Sequence, residues 1–319
     1  MQEPAPAGPD SARSSAAYDS AWSPFFGRTT FRAQGLSTQG GTAPAYAFDA
    51  RPAATADTAA RVAQAFGVAG EVQERDGTWS VGATDGTGPQ VYVTSDGGAS
   101  FGYSNSALDP WSCAKQAADG SCPTPPATSV DDATAAAALG DAMRSLGVDP
   151  AQFEVTVAPL GDGNDAARWV TARRVVGGTL TNDTWGATVA DAGIVWMNGT
   201  LAPVVDLGSY DVVSPDEAVR RLGDPRFGQS SPVALAAGAE PREVLPAAPA
   251  SVPTPPSAAD RIAWPVTEVT ITGARLALTQ HWTTSGAVLF VPAYELTDAD
   301  GTTWSVIAVT DDALDFAPR

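Results

Sequence analysis

Residues 173–199 read Arg-Arg-Val-Val-Gly-Gly-Thr-Leu-Thr-Asn-Asp-Thr-Trp-Gly-Ala-Thr-Val-Ala-Asp-Ala-Gly-Ile-Val-Trp-Met-Asn-Gly, and this stretch decides the fold. It divides into a strand, a turn, a second strand, a tight turn at Asp191–Gly193 and a further strand, because turn residues interrupt the alternation of apolar and polar side chains. The pattern predicts strands at 168–176, 184–190 and 193–200. A capped helix precedes them, so we expect one helix laid on an antiparallel meander.

Similar units can be traced before and after this stretch. Each expected helix has an N-cap residue at its start and a glycine at its end. The helices are expected at 56–66 after Thr55, from Ser129 to Gly147 with Asp132 in an acidic capping box, and from Ser214-Pro215 to Leu222-Gly223. Short strands are expected after the helices, at 71–74, 78–83, 91–94, 99–103, 153–158, 266–282, 287–296 and 302–309.

Two internal similarities favour duplication. The helices close with Ala-Phe-Gly-Val at 65–68, Ser-Leu-Gly-Val at 145–148 and Arg-Leu-Gly-Asp at 221–224. The hairpin arm Asp-Gly-Thr-Trp-Ser-Val from Asp76 matches Asp-Gly-Thr-Thr-Trp-Ser-Val from Asp300. The predicted fold class is therefore α+β, with tandem modules that each pack one helix on an antiparallel β-meander.

The expected division of the chain follows from these units. It comprises a disordered stalk at 1–17, a first α+β module with a Cys loop at 18–127, a second module at 128–212, and a third partial module at 213–319 with a Pro/Ala-rich insertion at 236–257. Residues 18–26 and 29–34 are expected to join the first module as edge strands, and 35–44 to form a loop.

The charge balance limits the classes of molecule that the protein is expected to bind. The 319 residues carry 18 basic and 36 acidic side chains, which gives a net charge of −18. Such a chain suits neither a phosphate backbone nor an anionic membrane surface, so we expect no nucleic-acid partner. No phosphate loop and no Gly-x-Gly-x-x-Gly that opens a helix is present, so we expect no nucleotide and no other cofactor.

The two cysteines, Cys113 and Cys122, are separated by eight residues with a turn at Asp119-Gly120. Closing so short a loop with a disulfide removes unfolded-state entropy worth about 2–3 kcal/mol. A zinc site would need further Cys or His ligands, whereas the single histidine, His281, is far along the chain. We therefore predict a disulfide and no metal. A disulfide indicates an extracytoplasmic location, and a cytoplasmic protein with two free thiols is the alternative.

The opening residues Met-Gln-Glu-Pro-Ala-Pro-Ala-Gly-Pro-Asp-Ser-Ala-Arg-Ser-Ser are typical of a flexible stalk. No apolar run approaches the roughly 20 residues that cross a bilayer. Together with the predicted disulfide, the stalk leads us to expect a cell-envelope protein whose membrane or lipoprotein anchor is absent from this chain. Heavy use of Ala, Gly, Pro and Arg with one lysine, Lys115, suggests a GC-rich bacterial genome.

The pattern Val-Val-Gly-Gly…Thr-Val-Ala-Asp-Ala-Gly-Ile-Val-Trp-Met-Asn-Gly, after a helix, resembles the PepSY-type module. Two such modules followed by the Ser-Pro-Asp-Glu-Ala helix resemble extracytoplasmic bacterial regulatory proteins of the Yyc type. Residues 129–205 carry most of the resemblance, and the other units match in element order only. The resemblance implies a membrane-tethered, non-enzymatic role in regulating a partner, and it supplies no catalytic residues.

A search for catalytic groups favours the same class. A Ser-His-Asp mechanism could use only His281, and no Gly-x-Ser-x-Gly elbow accompanies it. Carboxylates are abundant, so paired-carboxylate hydrolysis stays open, although most of them lie in Asp-Gly turns or at helix starts. Asp162–Asp165 and Asp298–Asp300 offer clustered oxygen ligands without the loop of an EF-hand, so turns are preferred over calcium sites.

Aromatic side chains are the candidate partner contacts: Trp169, Trp185, Trp196, Tyr294 and Trp304. A core beneath the helices is the first interpretation of the strand tryptophans, and a groove or sheet edge that receives a peptide or another envelope protein is the functional one. The predicted function is therefore an extracytoplasmic, membrane-tethered binding or regulatory protein and not an enzyme. A peptidase-inhibitory PepSY-like module and a carboxylate-dependent envelope hydrolase are the alternatives.

Overall fold

The structure, a computed structural model, describes residues 28–83, 85–86, 88–112, 122, 124–160, 165–228 and 266–317. The predicted stalk at 1–17, the predicted strand at 18–26 and the predicted insertion at 236–257 lie outside the described residues. The described chain has three α-helices and fourteen β-strands, and almost all of its strand pairs are antiparallel. The fold is therefore mixed α and β, and it is rich in β-structure.

Two helices begin at the predicted N-cap residues. Helix α1 (Ala56–Ala65) is capped by Thr55, and helix α3 (Pro215–Arg221) by Ser214; each side chain accepts a hydrogen bond from a backbone N–H of the first turn. These caps satisfy donors that have no partner within the helix.

Helix α2 (Asp132–Ser145) begins later than predicted. Its N-cap is Asp131, and the capping box predicted at Ser129 is wrong. The Ser129 hydroxyl and backbone N–H instead both donate to the Asp191 carboxylate, at 3.0 and 2.8 Å. Ser129, the cap residue that the local pattern predicts, therefore binds a carboxylate from a distant turn.

The larger sheet has eight strands, all paired antiparallel. They are β3 (Gln73–Arg75), β4 (Thr78–Gly82), β5 (Gln90–Thr94), β6 (Ser100–Ser104), β7 (Phe153–Leu160), β8 (Ala167–Val176), β9 (Thr179–Ala190) and β10 (Gly193–Thr200). Their spatial order is β3-β4-β5-β6-β10-β9-β8-β7. Helix α1 precedes the first four strands and α2 precedes the last four, and the two groups of strands meet where β6 pairs with β10.

Both α1 and α2 pack on one face of this sheet. Val62 of α1 and Leu139 and Met143 of α2 lie in the same buried cluster as the strand side chains. Trp185 is at the centre of the cluster and fully buried. Its ring lies directly on Gly199, where an added Cβ would come within 2.3 Å of the Trp185 Cδ2 atom. The opposite face of the sheet, called the outer face below, carries neither helix.

The second sheet has six strands. They are β1 (Arg28–Ala33), β2 (Gly41–Phe48), β11 (Val204–Val212), β12 (Val266–Trp282), β13 (Val288–Asp298) and β14 (Thr303–Ile307). The order is β1-β12-β13-β2-β11, with β14 paired to β13 beside β2, and β1 with β12 is the parallel pair. Helix α3 packs on this sheet through Ala218 and Val219, against Leu296 and Trp304.

The sheet membership corrects two predictions. Residues 29–34 do not join the first meander, because β1 pairs with β12 of the other sheet. Residues 35–44 are not a loop throughout, because β2 begins at Gly41 and pairs along its whole length with β11. Pro44 lies opposite Ser209, in the half of β2 that pairs with β11 but not with β13. A strand paired on one side tolerates a residue that lacks an N–H group.

The strand pairs of this sheet close into a small ring. β2 pairs with β13 at Phe290, and β11 pairs with β2. The segment after β14 joins β13 to β11: the Ala308 N–H donates to the carbonyl of Pro292 at 2.8 Å, and the Val213 N–H donates to the carbonyl of Ala308 at 2.8 Å. The β2 part of the ring contains the Ala-Pro-Ala stretch at 43–45, in which Ala43 and Ala45 are buried.

Two glycine turns bring the sheets together. An added Cβ on Gly177, in the turn after β8, would lie 2.3 Å from the hydroxyl oxygen of Tyr46 in β2. An added Cβ on Gly97, in the turn after β5, would lie 2.1 Å from the carbonyl oxygen of Gly286. The backbones approach closely at Gly97, and the Tyr46 side chain lies against the backbone at Gly177, so glycine fits at both points without a clash.

Candidate functional site

Three of the five predicted contact residues are core residues. Trp185 lies beneath α1 and α2, and Tyr294 and Trp304 lie beneath α3. The Tyr294 hydroxyl donates to the carbonyl of Val213 at 3.1 Å, which fixes its ring in place. These side chains are not accessible to a partner at the surface, so we remove them from the set of candidate contacts.

The other two, Trp169 and Trp196, lie on the outer face of the eight-stranded sheet. Their rings stack at 5.5 Å with an angle of 24°. Both side chains are half-buried, and both face the residue Thr188 that separates them across β9. The structure therefore brings together the two predicted tryptophans that helices do not cover.

Tyr92, which the sequence interpretation did not select, extends this aromatic surface. It is 42% exposed and lies on the outer face between the buried Val91 and Val93. Its ring rests on Gly102, where an added Cβ would lie 2.4–2.6 Å from three ring and hydroxyl atoms. The alternation Val-Tyr-Val was the signal that could have placed Tyr92 on the exposed face.

A second candidate surface is a groove of about 880 Å³ on the six-stranded sheet. Its floor carries Leu289, Val291 and Ile307. Three of the most exposed large apolar side chains of the described chain lie around it: Leu207, Trp282 and Phe316. Trp282 is 61% exposed, the largest value among them.

One wall of the groove is the segment 311–317, which a buried arginine holds. Arg221 of α3 donates to the carbonyls of Ile307 and Val309, at 3.1 and 2.7 Å, and to the Asp311 carboxylate at 2.6 Å. Burial lowers the pKa of the Arg221 guanidinium, which the nearby Asp311 carboxylate partly offsets. Phe316 of this segment packs edge-on against Phe227, with ring centroids 5.9 Å apart.

The groove also contains charged groups. Arg226 lies over the rings of Phe227 and Phe316 and pairs with Asp224 and Asp311, at 2.7 and 3.1 Å. These carboxylates hold the pKa of the Arg226 guanidinium above its usual value, and the main cause is the hydrogen bond that Arg226 donates to Asp224. His281, the only histidine of the chain, lines the same groove and is exposed.

Carboxyl groups in the described chain have lowered pKa values wherever a shift is resolved. These groups are Asp49, Asp96, Asp131, Asp191, Asp224 and Asp312. Burial opposes the shift at Asp96, but hydrogen bonds from Ser100, Thr94 and Gly98 outweigh it. At the other five, a hydrogen bond from a neighbouring residue is the main cause.

The predicted disulfide and the turn carboxylates have different outcomes. Cys113 lies outside the described residues, so its bond to Cys122 stays a prediction. Of the two calcium alternatives, Asp162 also lies outside them. Asp298 accepts hydrogen bonds from the backbone N–H groups of Asp300 and Thr302, as a turn residue does. Within the described part of the chain, no three His, Cys, Asp or Glu side chains are grouped to hold a metal ion.

The described helices are all too short or too polar to cross a bilayer, and the longest of them, α2, has 14 residues.

Comparisons with known proteins leave the function open. No protein-family model matches the chain, and no curated protein matches it. Among solved structures, an uncharacterized protein from Eubacterium rectale is similar over 92% of this chain and 91% of its own length. The TM-score is 0.38 and the sequence identity is 9%, and we base no argument on this likeness.

Proposed function

We propose that this protein is a non-enzymatic, extracytoplasmic binding protein that regulates another envelope protein. In this proposal, an apolar peptide segment of the partner lies in the groove of the six-stranded sheet. The observation that carries it is the convergence of Leu207, Trp282 and Phe316, three exposed apolar side chains, around one groove. Apolar and aromatic anchors in a groove supply most of the energy of peptide recognition.

The carboxyl groups support binding over hydrolysis. A glycosidase-type general acid needs a pKa raised above its ordinary value, so that it holds a proton at neutral pH. The resolved shifts of the described carboxyl groups are all in the other direction. Such groups stay ionised and act as caps, turn acceptors and ion-pair partners.

We also propose that the eight-stranded sheet arose from two tandem modules, each with a helix and a four-strand meander. The helix ends support this. At Gly67 and at Gly147 the backbone has positive φ values of 65° and 80°. After each glycine, a valine N–H donates five residues back, Val68 to Ala63 at 2.8 Å and Val148 to Met143 at 2.9 Å. This is the Schellman motif, and it accounts for the repeated Gly-Val pair.

The groove is tested by selecting peptides against the folded chain and measuring their affinities by titration. Leu207→Ser is the test variant, and Leu276→Ser is its matched control, because the two leucines are 41% and 39% exposed and only Leu207 lines the groove. We expect apolar peptides whose affinity falls about tenfold with Leu207→Ser and with Trp282→Ser, and stays unchanged with Leu276→Ser.

Two results contradict the proposal. One is that the selection yields no apolar peptide. The other is that the selected peptides bind Leu207→Ser and Trp282→Ser as tightly as they bind the unchanged chain.

A further inference from the structure

The outer face of the eight-stranded sheet is uncharged over a wide area. Two rows of side chains cross it, each row following the strand register. The first row is Ser80, Tyr92, Gly102, Asn198, Gly186, Thr171 and Thr156, and the second is Gly82, Gln90, Ser104, Trp196, Thr188, Trp169 and Ala158. None of these residues carries a charge, in a chain in which 17% of the residues are charged. We call this area the platform.

Two glycines leave room for aromatic side chains on the platform. The Tyr92 ring covers Gly102, and the Cη2 and Cζ2 atoms of Trp169 lie over Gly186, where an added Cβ would lie 3.0 and 3.1 Å from them. The Trp169 ring also stacks on the Trp196 ring. The platform therefore offers the Tyr92 ring and the stacked Trp169–Trp196 pair as aromatic surfaces.

The two rings stand on either side of one strand. Gly102 belongs to β6 and Gly186 to β9, and β10 runs between these strands. Two strand spacings separate Gly102 from Gly186 by roughly 10 Å. Asn198 of β10 lies between these glycines, and its Oδ1 is 3.0 Å from the point where a Cβ on Gly186 would be. The Asn198 amide therefore lies between the two aromatic side chains in a single row.

This arrangement fits a neutral polysaccharide. A sugar ring has an apolar C–H face that packs on the electron-rich face of an aromatic ring, and a rim of hydroxyl groups that bond to amides and hydroxyls. The platform supplies both, through Tyr92 and Trp169 and through Asn198, Gln90 and Thr171. Nucleic acids and charged polymers would instead require paired charges, which the platform does not provide.

Neither helix of this sheet covers the platform, because both lie on the opposite face. The turn at Ser106–Leu108 borders the outer face, and its Leu108 packs at one end on Ala167, Ala190 and Val195. These residues lie beyond the rings of Tyr92 and Trp169 along the strands.

We propose that the outer face binds a neutral polysaccharide chain, which lies across β6, β10 and β9 and stacks on Tyr92 and Trp169. The proposal does not depend on the peptide groove, which belongs to the other sheet. Together the two surfaces would allow one protein to attach to an envelope glycan while it holds a partner.

The test is native affinity electrophoresis of the full chain in gels with a panel of neutral polysaccharides: glucans, mannans, xylans, galactans and chitosan-free chitin oligomers. Polygalacturonate is the anionic comparison. We expect at least one neutral polysaccharide to retard the protein, and Tyr92→Ala and Trp169→Ala each to lower that affinity about tenfold. Trp282→Ala is the matched control, because Trp282 is an exposed tryptophan outside the platform.

Tyr92 is 42% exposed and lies outside the core beneath the helices, so Tyr92→Ala should fold normally, and circular dichroism checks this. Gly102→Ala gives an independent variant, since its methyl group takes the place of the Tyr92 ring. The proposal is overturned if no neutral polysaccharide retards the protein, if the platform variants are retarded as strongly as the unchanged chain, or if Trp282→Ala loses binding equally.

Discussion

Arg174 and Asp183 form an ion pair of 2.7 Å with side chains only 5% and 4% exposed, near the junction of the two sheets. The Arg174 guanidinium also lies 4.5 Å from the ring centroid of Phe153 and 5.5 Å from that of Phe48. Thr200 completes the group by donating to the Asp183 carboxylate at 2.9 Å. Arg174 is therefore buried between the strands of one sheet and an aromatic side chain of the other.

Removing one member of this pair should strongly destabilise the fold. Asp183→Ala leaves a buried guanidinium without its counter-ion, and such changes cost about 3–5 kcal/mol. The double variant Arg174→Met/Asp183→Leu should cost less, because it leaves no unpaired charge. Urea unfolding measures both free energies. Glu268→Gln is the control, because its ion pair with Arg32 is exposed and should contribute less than about 1 kcal/mol. Equal costs for the single and double variants would contradict this assignment.

The contact of Trp185 with Gly199 predicts a second effect. Gly199→Ala places a methyl group against the buried indole, so we expect a loss of about 1–3 kcal/mol in the free energy of unfolding. Gly41→Ala is a matched change within a strand, since an added Cβ there meets nothing within 4 Å. The control should change stability by less than about 0.5 kcal/mol. A harmless Gly199→Ala would mean that the indole can move aside.

The local parts of this fold were predictable from the sequence, and its long-range parts were not. Caps at Thr55 and Ser214 identify two helices because the signal lies within four residues. The parallel pairing of β1 with β12 carries no such signal: Arg32 donates to Thr270, 238 positions away. The strand β2 was missed because its alanines and Pro44 lack the β-branched pattern, and its pairing with β11 and β13 is long-range.

The candidate surfaces show the same limit. Alternation places Trp185 on one face of β9, and the helices above that face make it a core residue. Which face a helix covers is a tertiary property, so the positions of Trp169 and Trp196 on the outer face could not be distinguished from the buried position of Trp185 by sequence. The groove could not be foreseen at all, because Leu207 and Trp282 come from β11 and β12, two strands that are far apart in the sequence.

The disulfide predicted from the Cys113–Cys122 spacing can be tested chemically. We expect iodoacetamide to modify neither of the two cysteines in the unfolded, unreduced chain and both after reduction. Loss of the bond in Cys122→Ser should lower the free energy of unfolding by about 2–3 kcal/mol, as loop closure predicts. Modification of both thiols before reduction would rule out the bond and remove the main argument for an extracytoplasmic location.

Stability should depend on the ionisation of Asp191. Hydrogen bonds from the Thr128 hydroxyl and from Ser129 lower the pKa of this carboxyl below its ordinary value of 3.8. A lowered pKa in the folded state means that the stabilisation is present above about pH 3.8 and is lost as the pH falls through the folded value. Asp191→Asn should therefore lower Tm at pH 7, and the difference should shrink towards pH 3. A difference that is constant with pH would show that the charge is not involved.

Arg221 should stabilise the wall of the groove. It holds the backbone at Ile307 and Val309 and the side chain of Asp311, so Arg221→Met leaves two carbonyls without this donor and releases the wall that carries Phe316. We expect faster amide hydrogen exchange at 311–313 and, if the groove binds peptides, a weaker affinity for them. Arg220→Met is the matched control on the same helix, because the ion pairs of Arg220 are with Asp216 and Glu217 of α3 itself. Polysaccharide binding should be unchanged in both variants, because the platform lies on the other sheet. Unchanged exchange at 311–313 in Arg221→Met would mean that Phe316 and its packing on Phe227 hold the wall without the arginine.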